Sequence, residues 1–334
     1  LNVIDYLLKP IDEELLNETL KKVCMRIDQQ RLENEEKKII SDLVTSRNRQ
    51  AMERFWRKVV YKDKDVDNSY FASEKICNRT FNTEFIKGCY QVLCIYSNLG
   101  AILGKYDTVS SNKVDYYIRE SFSKYATVYS YNTYMNYILV LNFKEENKNA
   151  IREAIPALYY KIRDLREIFG EIRLSIGCSS VKNSVSDLMN AYTEAHSAEW
   201  GRLVLSRNDV LEYDQVKRLP RFFREDLVKE EEMNELKDCI KYLRKEELSY
   251  VFETIYKRAG ELNYSNPEDM IDGFAFIRSG LLQCINDEEI RKRLDEDSYY
   301  AYPNARNFQK LIENLYIAFK NYIEEELNKL KQKK

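Results

Sequence analysis

Between Pro10 and Gly88 the chain contains neither proline nor glycine. These are the two residues that most strongly interrupt helices, so nothing in this stretch stops a helix from propagating. Asp12 is a good N-cap, and Glu13 and Glu14 sit in the first turn, where the helix dipole favours them. Leu16, Leu20, Val23 and Ile27 follow at four-three-four spacing, the seam of a coiled coil. The stripe thins over residues 29–38, where only Leu32 remains, and resumes at Ile39 and Leu43. The pattern predicts one long linker helix over residues 12–50, paired through Leu16, Leu20, Val23 and Ile27 in a parallel homodimer. A solvated amphipathic helix packed back on its own domain is the alternative. A second, short helix is expected over residues 49–60, with Phe55, Trp56 and Val59 on one face.

The period then changes. Residues 91–96 read as a buried strand, 109–125 as a helix, and 126–131 and 137–143 as two strands joined by a polar run. A long helix is expected over 149–169, with Pro156 marking a kink or a late start. A strand over 173–178, a helix over 185–200 and a short strand over 210–213 complete the order β-α-β-β-α-β-α-β. Its first six elements match the ferredoxin-like split βαβ arrangement. From residue 219 every segment is helical: 227–243, 248–262, 267–285 and 304–334, with Asn266-Pro267 as a strong helix start. The fold class is therefore α+β. We divide it into residues 1–11, a linker helix over 12–60, an αβ domain over 61–214 and a helical domain over 215–334.

Composition narrows the function. The 53 basic and 55 acidic residues nearly cancel, unlike a dedicated DNA reader, which is usually basic. No apolar run approaches the roughly 20 residues of a membrane helix. The seven cysteines form no CxxC pair, which argues against zinc and for reduced, buried thiols in a cytoplasmic protein. His196 is the only histidine and has no nucleophile motif around it, so it reads as a packing residue rather than a base. The 26 tyrosines suit sheet and interface packing better than base stacking, given the balanced charge. Neither a metal nor a cofactor is expected, and no enzymatic activity.

Two stretches resemble known families. Residues 3–11 run Val-Ile-Asp-Tyr-Leu-Leu-Lys-Pro-Ile and lead straight into an acidic helix start. This resembles the last strand and helix of a two-component receiver domain, in which the Lys of Lys-Pro reaches a phosphoryl-aspartate. Lys9 and Pro10 match that motif, and the resemblance implies a regulator entered just upstream of its fifth receiver strand. The segment Leu174-Ser-Ile-Gly-Cys, the helix after Val185 with Ala191, Ala195 and Ala198 on one face, and the strand at Val210 resemble the second half of a GGDEF-type domain. Its signature falls on Thr133, Tyr134, Met135, Asn136 and Tyr137, which supply no glycine and no carboxylate. Tyr96 and Asn98 stand where a metal-binding aspartate is expected, and neither ligates magnesium as a carboxylate does. The resemblance thus implies a degenerate, non-catalytic GGDEF-like domain. The whole resembles the centre of a response regulator with a C-terminal AraC-type helix-turn-helix domain, a part that follows from architecture alone. It implies a homodimer that meets a sensor histidine kinase and promoter DNA only through domains outside this chain. The alternative is a regulatory domain that senses a small molecule or nucleotide.

Overall fold

The computed structural model describes residues 48–98, 108–132, 136–166, 172–205 and 209–332. The receiver motif at Lys9 and Pro10, the seam at Leu16, Leu20, Val23 and Ile27, and Thr133, Tyr134 and Met135 of the hairpin lie outside the described residues.

The fold is α+β, as the change of period predicts. Strands β1 (Cys89–Ser97), β2 (Ala126–Asn132), β3 (Asn136–Phe143), β4 (Leu174–Cys178) and β5 (Val210–Glu212) form one sheet in the order β2-β3-β1-β4-β5. The pairs β1–β3, β1–β4 and β2–β3 are antiparallel, and β4–β5 is parallel. The first four strands therefore have the split βαβ order.

Apolar residues on alternate positions of β1 and β3 build a core on each face of the sheet. Leu93, Ile95, Leu139 and Leu141 point to one side, under helices α3 (Thr108–Phe122) and α4 (Lys148–Arg163). Val92, Cys94, Ile138 and Val140 point to the other, under α1 (residues 48–61), α2 (Glu74–Phe81) and the start of α5 (Leu188–Leu205). Phe55, Trp56 and Val59 share one face of α1, as expected, and all three are buried here. Trp56 stacks on Tyr131 with ring centroids 5.4 Å apart. Thus α1 packs as part of the αβ unit. Helix α4 runs through Pro156 and gives way to a turn at residues 164–165, shorter than the continuous helix the periodicity predicts over 149–169.

Beyond β5 the chain is helical: α6 (Glu230–Lys241), α7 (Lys245–Glu261), α8 (Pro267–Leu282), α9 (Glu288–Asn304) and α10 (Phe308–Gln332). Leu236, Phe252, Ile277, Leu311, Leu315 and Phe319 are among its core residues. Helix α8 begins where Asn266-Pro267 predicts, with the Asn266 side chain accepting from the Glu268 amide at 2.9 Å. Helix α9 is not foreseen by the periodicity, which starts the last helix at Asn304. Eight of its 17 residues are charged, and among the residues whose side chains are described only Leu294 is buried, so no apolar stripe announces it.

Helix α5 links the two units. Its first half, with Leu188, Ala191 and Ala195, lies in the sheet core, and Trp200, Leu203 and Val204 lie in the helical core. Where the two cores meet, over residues 197–204, α5 is buried on every side. Gly177 of β4 permits the contact. A Cβ there would stand 2.2 Å from the Ala195 carbonyl oxygen and 2.3 Å from the Glu199 amide nitrogen, both backbone atoms.

Candidate functional site

The GGDEF resemblance locates metal and nucleotide at the end of β1 and the start of β3. Register pairs Tyr96 of β1 with Asn136 of β3 on one side and with Ser175 of β4 on the other. Tyr96 and Asn136 thus face each other across the β1–β3 ladder. Tyr137 takes the opposite face and is buried in the core under α3 and α4. Asn98 serves the sheet itself. Its side-chain oxygen accepts from the Arg173 amide at 2.7 Å, and its own amide donates to the Arg173 carbonyl at 3.2 Å. These two bonds extend the β1–β4 ladder past Ser97.

Tyr96 is fully buried, and a charged residue covers its ring. The Arg202 guanidinium of α5 lies 3.9 Å from the ring centroid. Arg202 Nε donates to Glu199 Oε1 at 2.9 Å, and Nη1 donates to the Ala305 carbonyl at 2.8 Å. Glu199 and Arg202 are 1% and 4% exposed, which makes this a buried ion pair. Arg202 therefore touches three parts of the chain: the sheet at Tyr96, its own helix at Glu199, and the loop between α9 and α10 at Ala305. Burial pushes the Tyr96 hydroxyl above its ordinary range against the opposing field of Arg202. Burial, then the charges of Glu199 and Cys178, push the Cys94 thiol well above its ordinary range. Neither group is poised to act as a nucleophile at neutral pH. The Ser175 hydroxyl is buried with no hydrogen-bond partner among the described residues.

Further polar contacts tie the units together beside this cluster. Tyr213 donates to Glu268 at 3.0 Å, Arg221 pairs with Glu268 at 2.8 Å and Asp269 at 2.7 Å, and the Asn266 amide donates to the Pro220 carbonyl at 2.8 Å. His196 packs on α5 between Tyr192 and Trp200. Its Nε2 accepts from Trp200 Nε1 at 3.3 Å, and burial holds its pKa below the ordinary value. These contacts fit a packing role.

Glu199, Arg202 and Arg173 escape the reading of the sequence alone. Glu199 and Arg202 have a legible signal: two opposite charges three residues apart inside the otherwise uncharged residues 197–205. Such charges are rarely buried unless paired. What they meet across the fold has no such signal.

No family model matches the chain, and no curated protein matches it. Among solved structures, the chain is similar to the active GGEEF domain of a diguanylate cyclase from Vibrio cholerae, with 16% identity and a TM-score of 0.27. The match covers 38% of this chain and 83% of that one. No helix among the described residues is long and apolar enough to cross a membrane.

Proposed function

We propose that this chain is the central, non-catalytic region of a two-component response regulator controlling transcription, and that it transmits a signal as a homodimer. The reading is supported by the tertiary contacts made at the positions to which the GGDEF resemblance would assign metal and nucleotide. Asn98 zips β1 to β4, and Tyr96 is sealed beneath Arg202, which reaches on to Ala305 in the helical unit. Magnesium chemistry on phosphates needs carboxylates at those positions. A mechanical role needs a stiff connection between two units, and α5 with its ion pair is one. In this reading a receiver upstream alters the pairing of the linker helices. The αβ unit and helical unit move as one body, and a DNA reader downstream changes its half-site spacing.

The test has two parts. Incubated with GTP or ATP and magnesium or manganese, the chain yields no cyclic product, and product lost on Asn136→Ala would overturn the non-catalytic reading. Near physiological salt the chain alone shows no sequence-selective binding to promoter DNA, because duplex affinity comes largely from basic side chains neutralising phosphates. Sub-micromolar selective binding would place the DNA reader inside these residues and sink the proposed architecture.

A small-molecule sensor is the second reading, and one observation favours it. An open groove of about 610 Å³ on the helical unit is lined by Phe222, Phe223, Phe276, Arg224, Asp269 and Asp272, and it offers aromatic and charged contacts to a small molecule. A ligand that raises the melting temperature of the wild-type chain and not of Phe276→Ala would favour this reading.

A further inference from the structure

Strand β2 ends the sheet, and among the described residues no backbone pairs with its outer edge. Seven residues, Ala-Thr-Val-Tyr-Ser-Tyr-Asn, run along this edge without a charge, a proline or a glycine. Natural proteins usually protect such an edge with lysine, proline, a bulge or a covering element. The edge is accessible: Ser130 and Asn132 are exposed, and the other five residues are partly so.

A groove of about 210 Å³ runs beside this edge, between β2 and α3, lined by Asp115, Ile118, Arg119, Ala126, Val128 and Ser130. Asp115 is half-buried, and burial raises its carboxyl above the ordinary range against the weaker opposing field of Arg119. Arg119 is exposed, and neither residue has an ion pair among the described residues. The two charges lie one helical turn apart and are centred on Tyr117. The three β2 residues in the same groove are centred on Val128.

We infer that the β2 edge is a homodimer interface, in which β2 pairs antiparallel with β2 of a second copy about a two-fold axis beside Val128 and Tyr117. Antiparallel self-pairing is what a two-fold axis generates at a strand edge, and closed two-fold dimers are the commonest assemblies. The axis would set Ala126 opposite Ser130 of the other copy and Val128 opposite itself, with no like charges facing across the ladder. The same axis would set Asp115 opposite Arg119 of the other copy, twice by symmetry, so the surface is complementary to itself. Two five-stranded sheets become one ten-stranded sheet flanked by an α3 pair. On the other sheet face, α1 contacts Tyr129 and Tyr131 of the same strand. The two α1 helices would then lie on one side of the dimer. The inference rests on the αβ unit alone and stands independently of the receiver and DNA-binding reading.

Amide hydrogen exchange on the full chain, from low to high micromolar concentration, tests it. Residues 126–132 are expected to exchange more slowly at high concentration. Ser130→Lys, which puts a charge on the exposed edge, should abolish that difference and leave the melting temperature of the dilute protein unchanged. Arg119→Glu should weaken association by about tenfold, the effect of losing roughly 1.4 kcal/mol of interface energy, and Asp115→Arg with Arg119→Glu should restore it. Fast exchange at 126–132, no slower than in Ser130→Lys, in a sample that light scattering shows to be dimeric would overturn the inference, as would a monomer at high micromolar concentration. If Leu20→Asp with Val23→Asp leaves the protection of residues 126–132 in place, the edge interface stands and the coiled-coil seam falls.

Discussion

Arg202→Met is the most informative single perturbation of this chain. The substitution keeps most of the side-chain length and removes the charge. It deletes the 2.9 Å bond to Glu199, the 2.8 Å bond to the Ala305 carbonyl and the contact 3.9 Å above the Tyr96 ring. A desolvated cation over an aromatic ring contributes on the order of 2 kcal/mol. The larger effect is on what stays behind, because Glu199 is 1% exposed and would be a buried carboxylate without its cation. Removing one partner of a buried pair typically costs about 3–5 kcal/mol, whereas replacing both with apolar residues of similar volume is often near neutral. We therefore expect Arg202→Met to lose stability in that range and Glu199→Leu with Arg202→Met to recover more than half of it. The assay is urea unfolding followed by tryptophan fluorescence. The chain has two tryptophans, Trp56 under the sheet and Trp200 in the helical core, so a Trp56→Phe or a Trp200→Phe background reports one unit at a time. The wild-type transitions should coincide, and Arg202→Met should separate them. A loss below about 1 kcal/mol, the scale of an exposed ion pair, or coincident transitions in the variant, would refute the view that Arg202 couples the units.

Other consequences follow from single contacts. Gly177→Ala places a methyl group against the Ala195 carbonyl and the Glu199 amide, so α5 must lift from β4, and a loss of about 1–3 kcal/mol is expected by thermal melting. His196 is the only histidine, and its folded pKa is lowered by burial. Stability should thus be level above its unfolded value of 6.5 and fall as pH drops below it, with a slope of at most about 1.4 kcal/mol per pH unit; His196→Gln should flatten denaturation midpoints measured just below that pH. Glu232 accepts from Arg258 at 2.6 Å and from the Lys229 amide. Burial raises its pKa, the bonds lower it by more, and the net shift is downward from 4.5. Its contribution is therefore complete above 4.5 and lost as pH falls through the folded pKa, so Glu232→Gln should destabilise at pH 7 by about 1.5–3 kcal/mol and much less in strong acid, as read by urea midpoints at the two pH values.

Periodicity by itself determined the element order β-α-β-β-α-β-α-β and the burial of Phe55, Trp56 and Val59, and the Asn266-Pro267 cap determined the start of α8. Each of these is a local pattern: alternation in a strand, a stripe on a helix, a cap before a proline. The GGDEF resemblance singled out Tyr96, Asn98 and Asn136 as residues without carboxylates at the ends of β1 and β3, because side-chain type is readable position by position. What they now do was not legible. Asn98 meets Arg173 and Tyr96 meets Arg202 across long stretches of chain, and no local pattern encodes which side chain a strand end will face. Helix α9 was hidden for a related reason, since residues 288–296 are mostly charged and read as a surface segment. Only the tertiary structure decided that one helix serves two cores. The close approach at Gly177 sets the depth at which α5 lies, and that depth buries Glu199 and Arg202 far from water, where a charge persists only with its partner.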